Sequence, residues 1–219
     1  MTATKHNSMA KGITDASNQT TAIDKILQRV ESQLKIAKLG LDDVLEPNRK
    51  RRLSGLANLI VFGRAVTFVL QNLRSVVPDG EFDRWYTPKQ AKMKDDPVMR
   101  YFVTLRNEIE KQGKLEVATN VEIAYINFTE IQQYRPPGAT DFFMGDERGG
   151  SGWDVPQADG TVVQYYIDLP PSTATVVQTF AETEAEGHQL HGAKVDDLSK
   201  HYIDSLTKLV NEAREKFLP

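Results

Sequence analysis

The side chains that could do chemistry in this chain are few, and most are basic. Arg106 and Asn107 stand side by side in the stretch 95–113, DDPVMRYFVTLRNEIEKQG, and Lys111 follows one turn later. A guanidinium holds a phosphate through paired N–H donors, and a neighbouring amide can orient it. An amine such as that of Lys111 serves as a base at neutral pH only where burial lowers its pKa. Arg64 lies inside the apolar run 53–73, with Asn72 two turns further on, so both project from one helical face. A buried guanidinium needs a partner, either an acid of the protein or a ligand phosphate. Arg64, Asn72, Arg106 and Asn107 therefore form one candidate polar constellation. His201 sits beside the apolar stripe of the last helical stretch. It is a candidate general base if that helix returns to Arg106, and otherwise a boundary histidine. Trp85, with Phe82 and Tyr86 around it and Arg84 and Lys89 near, is a candidate for stacking on a base. The plainer reading makes these aromatics the cap of a helical core.

Other patterns carry less. The stretch 145–153, GDERGGSGW, could offer the N–H groups of Gly145, Gly149, Gly150 and Gly152 to an anion. It has neither Walker spacing nor GxGxxG after a strand, and Asp146 and Glu147 disfavour phosphate. A flexible hairpin loop is the plainer reading. Ser151 does not lie on a strand–turn–helix elbow. Of the four histidines, His188 and His191 fall in the polar stretch 181–192 near Glu182, Glu184 and Glu186. That reads as a solvated acidic linker rather than a metal site. Cysteine is absent, which excludes disulfides, thiolate metal sites and cysteine nucleophiles. No metal and no cofactor are expected.

The elements that would position these groups are mainly helical. Asp95 or Asp96 can cap the helix that carries Arg106, and Pro97 suits its first turn. Val98, Phe102, Leu105 and Ile109 form its core stripe, and Gly113 is placed to end it in the left-handed conformation. The stretch LRNEIEKQG at 105–113 resembles the late helix of HEPN-type bacterial domains. Those domains are helical bundles, and many are metal-independent RNA-cleaving toxins or defence effectors. Many members carry an arginine, a polar residue, a short gap and a histidine. Arg106 and Asn107 match the first two, while Lys111, Gln112 and Gly113 stand where the histidine would fall. The resemblance covers about 47–113, and the layout of the whole chain is similar to uncharacterised bacterial proteins. It implies a role for Arg106 in holding a scissile phosphate, for Asn107 in orienting it, and for Lys111 or His201 in place of the missing base.

Around that helix, residues 1–19 are polar and aperiodic and read as a disordered tail. Thr20 or Thr21 can cap a first helix closed by Gly40, and a long helix is expected from about Arg49 to Val77, basic at its start. Gly55, Ala57, Gly63 and Ala65 would let neighbouring backbones approach it closely. The domain organisation expected is a bundle over 20–113, a β region with the Gly-rich loop over 114–181, a linker over 182–193 and a closing helix over 194–219. In the β region, 115–128 and 161–169 read as strands, 134–160 as a long loop with a short strand at Phe142–Met144, and Asp159-Gly160 as a hairpin turn. The fold class is therefore α+β: a helical bundle, an inserted small antiparallel sheet, and a C-terminal helix that packs back on the bundle.

The bulk properties fit a globular protein, at 40% hydrophobic and 26% charged residues. Net charge is −3, but residues 1–116 hold 20 Lys and Arg against 14 Asp and Glu, while the remainder holds 7 against 16. The basic half can pair with the acidic half, within the chain or across a dimer. No leader and no membrane-length apolar run are expected, which points to the cytoplasm. Two functional readings follow. One is a non-enzymatic interaction or dimerisation protein related to HEPN-type domains. The other is a metal-independent RNA-binding or RNA-cleaving effector built on Arg106.

Overall fold

The computed structural model describes residues 3–180, 190 and 192–218. Among them are six α-helices and five strands in two antiparallel sheets, an α+β fold. The helices are α1 (Ala3–Leu45), α2 (Arg52–Leu70, extended by a 3-10 turn at Gln71–Ser75), α3 (Glu81–Asp95), α4 (Pro97–Gln112), α5 (Phe128–Gln132) and α6 (Val195–Phe217). The strands are β1 (Val117–Ile123), β2 (Phe142–Met144), β3 (Ser151–Pro156), β4 (Val162–Ile167) and β5 (Ala174–Phe180). The chain divides into two compact units. One comprises Met1–Lys38, Asn58–Arg106 and His201–Pro219; the other comprises Leu39–Ala57 and Asn107–Lys200.

The first unit is the helical bundle, and its closing helix packs back on it. Leu27 and Val30 of α1, Leu59 and Ile60 of α2, Phe102 of α4 and Leu206 of α6 are buried without contact with water. Tyr202 of α6 stacks on Phe102 with ring centroids 4.2 Å apart. Gly63 of α2 makes room for that ring, because a Cβ there would lie 3.1 Å from Tyr202 Cζ and closer still to its Cε1. The helix tolerates glycine here for packing, as its small residues lead one to expect. Phe82 and Trp85 of α3 meet Phe217 of α6, with Trp85 edge-on to Phe217 at 5.2 Å, and Tyr86 stacks on Phe82.

Several boundaries differ from the sequence reading. Helix α1 starts at Ala3, within the segment expected to be a disordered tail, and passes through Gly40 to Leu45. Helix propagation adds one hydrogen bond per residue once a nucleus exists, and no proline interrupts the chain before Pro47. Gly40 keeps a negative φ and is a point of close approach rather than a stop: a Cβ on Gly55 would lie 2.8 Å from its carbonyl oxygen. The stretch Arg52–Ser75 is, by length and composition, apolar enough to cross a membrane, against the expectation that no such run exists; 44% of its window is buried, and it serves as a core helix of the fold. Helix α4 ends as its sequence dictates. Asp96 Oδ1 accepts from the N–H of Val98 and Met99, and Gly113 closes the helix at φ 66°.

In the second unit β1 pairs with β5, from Val117 opposite Phe180 to Ile123 opposite Ala174. The β2–β3–β4 sheet sets Phe142 opposite Trp153 and Trp153 opposite Tyr165. The five strands thus make two sheets instead of one, and β3 occupies part of the expected loop over 134–160. Gly152 is required there, since a Cβ would lie 2.8 Å from the carbonyl carbon of Tyr165 on the paired strand. Trp153, Ile131 and Ala139 form a small core with Phe142 and Ile167 packed against it. The Asp159-Gly160 turn is present, with Gly160 at φ 84° and Asp159 Oδ1 accepting from Thr161 N–H.

Candidate functional site

In the first unit, Arg64 and Arg106 come together on one ring. The Arg64 guanidinium lies 4.2 Å from the centroid of Phe68 and that of Arg106 lies 5.6 Å from it. Helix α2 sets Arg64 and Phe68 one turn apart on one face, and α4 brings Arg106 to the same ring. Phe68 is nearly half exposed. Arg64 also donates to Thr67 Oγ1 at 2.6 Å, which fixes its stem. An exposed ring flanked by two guanidiniums can hold an anion or stack on a planar group. Asn72 is exposed in the 3-10 turn that prolongs α2, and its carbonyl accepts from the Ser75 hydroxyl. Lys111 is exposed in the last turn of α4, and Asn107 is half-buried.

His201 stands at the opposite end of α4 from Arg106. Its Nε2 lies 2.7 Å from Asp96 Oδ2, at the N-cap. Asp96 precedes Arg106 by ten residues, about 15 Å along a helix. Burial pushes the Asp96 carboxyl up, but its hydrogen bonds to His201 and to the N–H groups of Met99 and Val98 outweigh this and hold it below the usual value. The structure therefore gives His201 to a helix cap and does not bring it to Arg106. Trp85 is half-buried in the aromatic cluster, with Lys89 Nζ 4.9 Å above its ring, and so sits in the capping position of the plainer reading.

The Gly-rich loop between β2 and β3 turns its amides inward. Asp146 Oδ1 accepts from the N–H of Arg148 and Gly150, and the Asp146 carbonyl accepts from Gly149 N–H. The Gly150 carbonyl accepts from Gly145 and Asp146. Donors spent in this way cannot cradle an anion, so the loop is ordered around its own acid. Tyr166 donates to Asp146 Oδ2, and its hydroxyl is pushed up to about 12 by burial first and by Asp146 second. His188 and His191 lie outside the described residues. Among the described residues no cluster of three or more His, Cys, Asp or Glu could hold a metal.

Two residues of the basic run 49–52 turn out to be the most organised polar groups of the second unit. Arg52 is 3% exposed. It donates to Gln178 Oε1 at 2.7 Å, to the Val44 carbonyl and to Asp196 Oδ1, and so ties α1, β5 and the start of α6 together. Gln178, also buried, donates onward to the Glu147 carbonyl at 3.0 Å. Arg49 has φ 51°, and its guanidinium donates to the Arg148 carbonyl at 3.2 Å. Burial lowers its pKa and Arg52 adds to this, while Asp196, Asp168 and Asp146 oppose it. A signal for Arg52 was present: it stands in helical phase with Leu56, Leu59 and Ile60, all fully buried.

Comparison with known families settles the relationship. The family model described as Bacteriophage lambda protein ea47 matches residues 13–135, over half of the chain. The chain belongs to the phage lambda Ea47 family. The match runs from α1 through α5 and so includes Arg49, Arg52, Phe68 and Arg106, but not β2 to β5 or α6. The family is phage-associated, whereas the helix at 105–113 pointed to bacterial HEPN-type domains. No curated protein and no solved structure matches the chain.

Proposed function

We propose that the protein has no catalysis of its own and acts as an interaction module that associates with a second copy of itself. The observation that supports this is the segment leaving β1. Ile123, Tyr125, Ile126, Phe128 and Tyr134 are between 39% and 67% exposed, five large apolar or aromatic side chains within twelve residues. Interface cores are enriched in such aromatics, and covering them recovers about 25 cal/mol per Å². The neighbouring strand supports the same occupant. β1 pairs only with β5 among the described residues, so one of its edges carries no strand. An open edge beside an apolar patch suits antiparallel addition of the same strand from a second copy. The proposal is tested by light scattering behind size exclusion, with the wild type and Phe128→Lys compared. A wild-type dimer and a folded monomeric variant are expected. A wild type that stays monomeric at high micromolar concentration refutes it.

A second reading is favoured by the Phe68 ring and its two guanidiniums: the first unit binds single-stranded RNA without cleaving it. The resemblance of 105–113 to HEPN-type helices adds to this reading. The position of His201 at Asp96, remote from Arg106, argues for binding over cleavage. Gel shift with a short RNA in EDTA is the test, with Arg106→Ala and Phe68→Ala alongside. Stacking is worth roughly 1–3 kcal/mol per base, so Phe68→Ala should weaken binding about five-fold or more. Binding that ignores both substitutions removes the reading, and RNA cleavage by the wild type removes the claim that it lacks catalysis.

A further inference from the structure

We propose that the second copy of the chain adds to β1 in one register, centred on Asn120, so that two β1 strands join two sheets into a single sheet ordered β5–β1–β1–β5. This rests on the self-association proposed above and specifies how the strands pair. β1 is 7 residues long and, among the described residues, has a strand on one side only, β5. The ladder decides which of its backbone groups face the open side. The β1–β5 register runs to Ile123 opposite Ala174 and continues with Ala124 opposite Thr173, whose carbonyl accepts from Ala124 N–H at 3.1 Å. Backbone direction alternates along a strand. The even-numbered residues therefore turn towards β5, while Val117, Thr119, Val121 and Ile123 turn their N–H and C=O groups to the open edge. Outside the ladder these residues make no backbone bond among the described residues. The edge also lacks the usual blunting devices: β1 has no proline and no lysine, and Glu122 is its only charge.

Two antiparallel copies can meet only in registers centred on a residue. A half-step would set edge-facing groups against groups committed to β5 and would mix the two faces of the sheet. Centring on Asn120 places Val117 opposite Ile123 of the second copy and Thr119 opposite its Val121. Every edge-facing residue is then paired over the whole strand, and each pair exchanges two backbone bonds. These residues are all β-branched, which suits cross-strand packing, and Ile123, 55% exposed in the single chain, gains a neighbour. Glu122 falls opposite Ala118, so no like charges meet. The neighbouring registers are worse. Centring on Val121 leaves Val117 opposite Tyr125, whose N–H already donates to the Thr173 carbonyl. Centring on Thr119 sets Glu116 opposite Glu122, and centring on Glu122 sets that residue opposite itself. Like charges directly opposite are destabilising.

The chain contains no cysteine, so single cysteines in the full-length protein report the register. Residue 120 faces its own copy in a non-hydrogen-bonded pair, with Cα atoms about 4.5 Å apart, within reach of a disulfide. Asn120→Cys should therefore crosslink to itself under mild oxidation. In Ala118→Cys the two cysteines stand four residues out of register, roughly 14 Å apart, and should crosslink about ten-fold more slowly or less. Mixed with Glu122→Cys, the same variant should crosslink readily. Hydrogen exchange of the wild type reads the edge without a substitution: the amides of Thr119 and Val121 should become about ten-fold or more better protected as protein concentration rises through that of dimer formation. Failure of folded Asn120→Cys to crosslink overturns the register. So does self-crosslinking of Ala118→Cys or Glu122→Cys at its rate or faster, or a wild-type dimer whose Thr119 and Val121 amides stay unprotected. If the wild type is still a dimer that Phe128→Lys dissociates, such a result removes this pairing and leaves self-association standing; a monomeric wild type removes both.

Discussion

Replacing Arg52 by alanine should unfold the second unit preferentially. The substitution leaves three acceptors without their donor: Gln178 Oε1, the Val44 carbonyl and Asp196 Oδ1. Gln178 is 4% exposed, so water cannot replace the lost bond without opening the structure. Asp196 is about a third exposed and can be resolvated, so its share of the loss is the smaller one. Breaking a buried ion pair by removing one partner costs about 3–5 kcal/mol. With an m-value of about 2 kcal/mol/M, this shifts the urea midpoint by roughly 1.5–2.5 M. The two tryptophans make the assay specific, because Trp153 lies in the second unit and Trp85 in the first. In a Trp85→Phe background the fluorescence of Trp153 reports the second unit alone. Arg52→Lys keeps the charge but cannot reach three acceptors in a fork, and should fall between wild type and alanine. A midpoint shift below about 0.5 M for Arg52→Ala would mean instead that solvent already reaches this arginine in the native state and that it does not tie the second unit together.

The pair at the start of α4 separates a cap from an ion pair. Asp96→Ala removes both and should cost about 1–2 kcal/mol, whereas His201→Ala removes only an exposed pair and should cost under about 1 kcal/mol, measured as urea midpoints. Because the folded Asp96 carboxyl is held below its usual value, the stability it contributes is full above about pH 4 and is lost as pH falls through the lowered value. The midpoints of wild type and Asp96→Asn should therefore differ by a constant amount above about pH 4 and converge as the pH falls below it. Gly152→Ala places a methyl against the backbone carbonyl of Tyr165 and should break the β3–β4 pairing, seen as loss of amide protection in both strands. Gly63→Ala meets the Tyr202 ring instead, and should destabilise by about 1–3 kcal/mol less the roughly 1 kcal/mol gained in helix propensity.

What could be read from the sequence was local. The cap at Asp96, Pro97 in the first turn and the stop at Gly113 depend on neighbours a few residues apart, and helix α4 follows them. The stripes of α1 and α6 carried the bundle, because helical period needs no knowledge of the partner. Gly40 shows the limit. As a sequence signal it resembles Gly113, but its role is set by Gly55, a contact no local pattern contains. The split into two sheets was hidden for the same reason: β1 pairs with β5 across more than fifty residues, and β3 is short and glycine-containing. Arg49 to Arg52 read as one basic start, yet only helical phase distinguishes the buried Arg52 from the exposed Arg51. The juxtaposition of Arg64 and Arg106 was posed by the sequence but not decided by it. The pairing of His201 with Asp96 was not visible there at all.

Self-association through the apolar patch and the open strand edge can be read from sedimentation equilibrium of the wild-type protein. Runs from low to high micromolar protein should show a monomer–dimer equilibrium that persists in 1 M salt, where the Debye length shrinks to about 3 Å and charge pairing is screened. A monomer at every concentration, or a dimer that dissociates in high salt, would contradict it.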